Sequence, residues 1–147
     1  MAGNEGTLST STAVASGTAA KTILQLVAPA NQALRVKGFG LGFAGTNVTG
    51  TPIVVELLRQ TTAGTATARN PLKRSLGGPA LQATGSENAT AEPTASDILF
   101  STQLHPQSTM EISLVGREIM VDGGGRLGMR VTADASVNVR GHIDYEE

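Results

Sequence analysis

From Lys21 onward, apolar residues recur at every second position in short runs separated by Gly, Pro, Asn and Asp. A period of two is the mark of a strand with one buried face. Thr22–Val27 is a short apolar run closed by Pro29. In Ala33–Ala44, Leu34 and Val36 share one parity with Arg35 and Lys37 opposite, and then Phe39, Leu41 and Phe43 take the other parity. The inward face must therefore switch near Gly38, which predicts a bulge or bend there. Gly38, Gly40 and Gly42 leave one face of this strand almost bare. Either another backbone approaches it closely or the strand turns a sheet corner. Asn47–Pro52 reads as a turn and Ile53–Gln60 as a largely buried strand. Thr61–Ala68 reads as a weak edge strand or a loop, and Asp97–Leu104 as a strand ended by His105-Pro106.

Met110, Ile112 and Leu114 alternate with Glu111, Ser113 and Val115, whereas Ile119 and Val121 have the opposite parity, so a bulge or turn falls at Gly116. Asp122–Gly125 predicts a tight turn, followed by alternating Leu127, Met129 and Val131. After a turn at Asp134–Ala135, Val137, Val139, Ile143 and Tyr145 share one parity to the end of the chain. Short strands with turn signals roughly every 8–12 residues predict an all-β chain, a two-sheet sandwich or barrel.

Two segments depart from this pattern. Fifteen of the first twenty residues are Ala, Gly, Ser or Thr, and Leu8 and Val14 are their larger aliphatics. Such a stretch has too little apolar surface to offset the entropy of ordering. It is expected to be an extended N-terminal arm, residues 1–20, preceding a single β-sandwich domain, residues 21–147. Fully extended, it would reach about 65–70 Å. Leu8 and Val14 are then the candidate apolar anchors to a partner surface. Residues 69–96, with Pro71, Gly77-Gly78-Pro79, Gly85 and Pro93, form the least regular stretch, a contact loop or a disordered segment. Leu72, Leu76 and Leu81 are expected to pin it to the body.

Composition narrows the function classes. At 147 residues the chain suits one domain, and its aromatics are Phe39, Phe43, Phe100 and Tyr145. A core this poor in aromatics points to a modestly stable subunit and so toward an oligomer. The absence of Cys removes disulfides and thiolate chemistry. No run approaches the roughly 20 apolar residues of a membrane helix, and the N-terminus lacks the pattern of a signal peptide. The sequons at Asn47 and Asn88 therefore read as chance matches. Residues 1–75 carry seven Lys/Arg against Glu5 and Glu56, a net of +5, while residues 76–147 carry four Arg against ten acids, a net of −6. Either the two halves form oppositely charged faces, or their strands interleave and the asymmetry vanishes in space.

Candidate chemistry is sparse. Gly123-Gly124-Gly125-Arg126-Leu127-Gly128 has the letters of a dinucleotide fingerprint, but a strand-period run follows where a helix is required, so it reads as a hairpin turn. His105 and His142 have no second ligand at metal spacing, and no nucleophile-elbow pattern accompanies them. Glu146–Glu147 reads as a solvated acidic end. Arg69, Lys73 and Arg74 are the densest basic group. With few aromatic platforms and a net charge of −1 they do not suit nucleic acid; they read as a solvated loop or a salt bridge to an acidic neighbour, or equally as a contact to an acidic partner protein. The residues imply no enzyme, no cofactor and no metal.

Thr61-Thr62-Ala63-Gly64, Ala91-Glu92-Pro93-Thr94, His105-Pro106-Gln107, Gly116–Val131 and Val137–Glu147 resemble small structural proteins of tailed bacteriophages, most of all the capsid decoration, or cement, proteins. The resemblance covers residues 33–147. It implies a jelly-roll-like β-sandwich, a homodimer or homotrimer, and a position on the capsid exterior after synthesis in the host cytoplasm. The partner would be the major capsid protein, with no direct contact to nucleic acid or membrane. It carries over no catalytic residues. Within such a particle the contacts would come from Leu8 and Val14 in the arm, with Arg69, Lys73 and Arg74 as charged contacts. The alternative is a tail- or fibre-associated β module that binds a host receptor or glycan.

Overall fold

Val, Ile, Leu and Thr runs bounded by Gly and Pro favour pleated structure. In the computed structural model, which describes residues 3–44 and 50–147, they form strands and, among the described residues, no helix. The strands are β1 (Glu5–Ser9), β2 (Val14–Ala15), β3 (Lys21–Val27), β4 (Leu34–Phe43), β5 (Ile53–Gln60), β6 (Thr65–Ala68) and β7 (Leu72–Lys73), then β8 (Thr84–Ala91), β9 (Ala95–Leu104), β10 (Thr109–Ser113), β11 (Ile119–Val121), β12 (Arg126–Thr132) and β13 (Asn138–Glu146). A seven-stranded sheet runs β10-β4-β13-β1-β7, with β11 also on β4 and β2 on β13. A six-stranded sheet runs β6-β8-β3-β12-β5-β9. All pairings are antiparallel, and the two sheets enclose one core that includes Leu8, Ile23, Leu57, Met129, Ile143 and Tyr145. The chain is therefore an all-β two-sheet sandwich.

Among the longer strands the chain passes from β1 to β3 in the other sheet, back to β4, and across to β5, β8 and β9. It then returns at β10, crosses to β12 and ends in β13 beside β1. Both sheets thus mix strands from both halves of the sequence. Lys37–Glu146, Arg74–Asp144 and Arg59–Asp97 ion pairs each join a base of the first half to an acid of the second. The charge asymmetry along the chain is dissolved by interleaving.

Residues 1–20 do not form a free arm. β1 pairs with β13 from Glu5↔Glu146 to Ser9↔His142, with β7 on its other side, and β2 pairs with β13 through Val14↔Val139. Leu8 is 0% exposed and Val14 4%. Both belong to this chain's core, so neither is an anchor to a partner, and the sandwich begins before residue 21. A strand that joins a sheet needs only one apolar face and a waiting edge, which composition alone does not reveal. The small residues here have a packing role. A Cβ at Gly6 would lie 2.7 Å from the Tyr145 hydroxyl oxygen, and one at Gly85 would lie 2.7 Å from Leu8 Cδ1.

The parity switch in β4 is a bulge. Gly38 pairs with Asp144 and Val36 with Tyr145, so Lys37 is the extra residue. Gly116, at φ 85°, turns the chain between Leu114 and Arg117, whose N–H donates to the Leu114 carbonyl at 2.9 Å. The Asp122–Gly125 turn closes with a 2.8 Å bond from the Gly125 N–H to the Asp122 carbonyl, with Gly124 at φ 78°. It joins β11 to β12 in the opposite sheet, so it is a crossover turn and not a hairpin. Thr61–Ala68 supplies the edge strand β6. The sequon of the predicted turn at Asn47–Pro52 lies outside the described residues, as does the first half of the turn.

Residues 69–96 are more regular than their composition suggests, because β8 pairs with β3 over Thr84–Glu87. Its buried positions are Glu87 and Ala89, which carry no hydrophobic signal. Glu87 is accommodated because its carboxylate accepts the Ser11 N–H at 2.8 Å and the Ser11 hydroxyl.

Burying a leucine completely is worth about 1.5–3 kcal/mol, and a cavity adds to the loss. Leu8→Ala should therefore lower the unfolding free energy by about 2–5 kcal/mol in urea denaturation. A change under about 0.5 kcal/mol would show that β1 is not part of the folded core.

Candidate functional site

The three basic residues singled out from sequence do not form one patch. Arg69 Nε donates to the Ser9 carbonyl at 2.8 Å. Lys73 Nζ donates to the carbonyls of Gly77 at 2.6 Å and Gly78 at 2.9 Å. Arg74 lies 3.7 Å from Asp144, and its backbone N–H bonds the Glu5 carbonyl at 3.0 Å. All three hold this chain's own N-terminal strand or loop, which corrects the expectation of a free charged contact at Arg69 and Lys73. Arg74 alone of the three remains exposed.

Lys73 shapes the loop after β7. Gly77-Gly78-Pro79 cannot continue a strand, and Gly78 adopts φ 83°. The Lys73 ammonium braces the bend from beneath. Ser75 Oγ donates to the Gly77 carbonyl at 3.2 Å, and Asn4 Nδ2 reaches the Pro79 carbonyl at 3.1 Å. The loop so held presents Leu76 entirely to solvent, at 108% relative exposure, with Leu72 at 61% on the strand below. Of the three leucines expected to pin this region, Leu81 alone packs on the core. Sequence did contain a signal for the projection, a lysine four residues ahead of a Gly-Gly-Pro bend with a leucine between.

The second polar surface is the outer face of the seven-stranded sheet. The bare stripe of Gly38, Gly40 and Gly42 lies between β13 and β10. This chain's own side chains enter it. A Cβ at Gly40 would lie 2.7 Å from His142 Cε1 and 2.9 Å from Glu111 Oε1. His142 Nε2 stands 3.4 Å from Glu111 and 3.9 Å from Asp144. Both carboxylates address the same ring nitrogen, which makes an ion-pair clamp when the ring is charged. A relay would place acid and nucleophile on opposite nitrogens. Thr7 Oγ1 donates to Asp144 at 2.8 Å, tying β1 to this group. His105 lies apart on an exposed turn, where its Nδ1 accepts the Gln107 N–H at 3.2 Å. Among the described residues no cluster of His, Cys, Asp or Glu forms a metal site.

Beside this face, Lys37 Nζ lies 2.7 Å from Glu146 and 2.9 Å from Glu5. The bulge that displaces Lys37 brings it over β13 and β1. Its hydrogen bonds to Glu146 and then Glu5 raise the lysine pKa above its ordinary value. The Lys37 hydrogen bond is the main cause that lowers the pKa of Glu146, assisted by the Gly3 N–H. Glu146, as a carboxylate with a lowered pKa, adds stability above its unfolded value that is lost as pH falls through its folded one. Lys37 adds stability below its unfolded value that is lost as pH rises through its folded one. Glu147 is the further clamp, accepting the N–H groups of Gln82 at 2.7 Å and Ala83 at 3.0 Å, so it is engaged in the fold as well as solvated.

The Glu146 carboxyl should therefore titrate below the ordinary glutamate range in a carbon-detected NMR titration, and Lys37→Met should return it upward. An unmoved midpoint in the variant would show that Lys37 does not hold this carboxylate. No family model, curated protein or solved structure matches this chain.

Proposed function

We propose that this protein is a structural component of a phage particle that binds the outer surface of the assembled capsid and reinforces contacts between capsomers. The observation that carries this is Leu76, held fully in solvent at the tip of a loop that Lys73 braces. An apolar side chain on a pre-ordered support binds without a large ordering cost. The strand sequence supports the same reading. On this reading β1, β13, β4 and β10 in one sheet and β3, β12, β5 and β9 in the other would form the two Greek keys of a jelly roll, with the paired β6 and β8 as an addition to the second. Attachment then belongs to the 72–80 loop and not to the N-terminal segment. Leu76 and Leu72 fill apolar hollows of the capsid protein, and Arg74 meets an acid beside them. A weak contact of this size becomes durable when several copies engage one particle.

Leu76→Ser together with Leu72→Ser should leave the thermal midpoint nearly unchanged, since both side chains are exposed. The pair should weaken binding to purified undecorated capsids at least tenfold, about 1.4 kcal/mol. Val115→Ser, which removes another exposed apolar side chain from a different turn, should leave binding intact. Full occupancy by the double leucine variant in a capsid co-sedimentation assay would overturn the loop as the anchor.

A further inference from the structure

We infer that the free edge of β9 pairs antiparallel with β9 of a second copy, about a two-fold axis at Thr102. Among the described residues no strand lies on the far side of β9, so alternate N–H and C=O groups along it face outward. Natural edges are guarded by Lys, Pro or bulges. The N-terminal half of β9 is guarded in this way, because its register with β5 slips twice between Ala95 and Phe100. The half from Phe100 to Leu104 is regular, opposite Leu57 to Ile53, and carries no charge and no proline.

The side chains of this half are self-complementary. About Thr102, Phe100 faces the partner's Leu104 and Ser101 faces the partner's Gln103. Phe100, Thr102 and Leu104 lie over Leu57, Val55 and Ile53, on the inner layer, and all three are only partly buried in the isolated subunit. Pairing covers them and joins the two cores. Ser101 and Gln103 are on the solvent layer, where a polar pair costs nothing. Five residues of strand bury less than the roughly 800 Å² per partner of a stable interface. Ile98 and Leu99, 53% and 38% exposed just beyond the pairing, extend the apolar contact.

The other edges suit a second copy less well. β10, on the same margin, has Glu111 at its centre, so self-pairing would set like charges opposite each other. β6 is four residues of Thr and Ala with little to bury. β7 is two residues long and carries the loop assigned to attachment. The dimer does not depend on what that loop binds.

The test uses charge at the paired positions. The native chain should sediment as a dimer of its 15.0 kDa subunit at micromolar concentration. The S101K/Q103K variant sets Lys against Lys twice across the axis and should weaken the dimer by roughly tenfold or more. S101E/Q103E should do the same, and an equimolar mixture of the two should recover the dimer mass. A native chain that stays at subunit mass, a trimer, or variants that keep the native mass would each overturn the proposal. If the variants fail to fold, amide exchange in the native chain decides it. Protection at Phe100–Leu104 should fall on dilution, and concentration-independent exchange would refute the pairing.

Discussion

The pairing of the first strand with the last holds this molecule together. β1 takes its place between β13 and β7, and Leu8 from β1 enters the same core as Ile143 and Tyr145 from β13. Until both ends of the chain are present, β13 lacks a neighbour on one side and the seven-stranded sheet cannot reach β7. The pairing spans nearly the whole chain, so the loop entropy it must overcome is large, although that cost grows slowly with length. It is met by two ladders of backbone bonds, one buried leucine and the fit of Gly6 over Tyr145.

Polar contacts then secure the N-terminal segment at intervals. Glu146 accepts the Gly3 N–H, Glu87 that of Ser11 and Glu92 that of Thr22, the last two with the adjacent hydroxyls as well. Each is a carboxylate from the acidic second half meeting backbone donors of the first. Glu146, read from sequence as part of a solvated acidic end, thus serves as a clamp, as do Glu87 and Glu92. A second set organises the outside of the six-stranded sheet, where buried Gln25, Gln60 and Thr22 bond one another and Arg130 pairs with Glu56. Buried polar groups are tolerable only when partnered, and these are partnered across three neighbouring strands.

The same architecture separates two margins. At one, β7 and its loop project Leu76; at the other, β9 ends the six-stranded sheet and β10 the seven-stranded one. With attachment at the first and self-pairing at the second, a two-fold assembly would present two loops at its far ends. Each loop contact can then be weak while the assembly holds, because a second binding event follows the first at high effective concentration.

Much of the fold was legible in the sequence because a strand's period of two is a local property. Parity placed a bulge or bend near Gly38 and a bulge or turn at Gly116, and the Asp-Gly-Gly-Gly run marked the turn at Asp122–Gly125. The all-β class followed from the same pattern. What parity could not show was which segments supply partners for an edge. Residues 1–20 look like an arm because Leu8 and Val14 are few, yet a strand added to an existing sheet needs only one buried face. β8 was hidden because a carboxylate fills an inward position and is satisfied by Ser11, seventy-six positions away in sequence. The roles of Arg69, Lys73 and Leu76 were decided in the same way. Sequence determines which residues are charged or apolar, but tertiary structure alone decides whether each finds its partner within the chain or is left facing solvent.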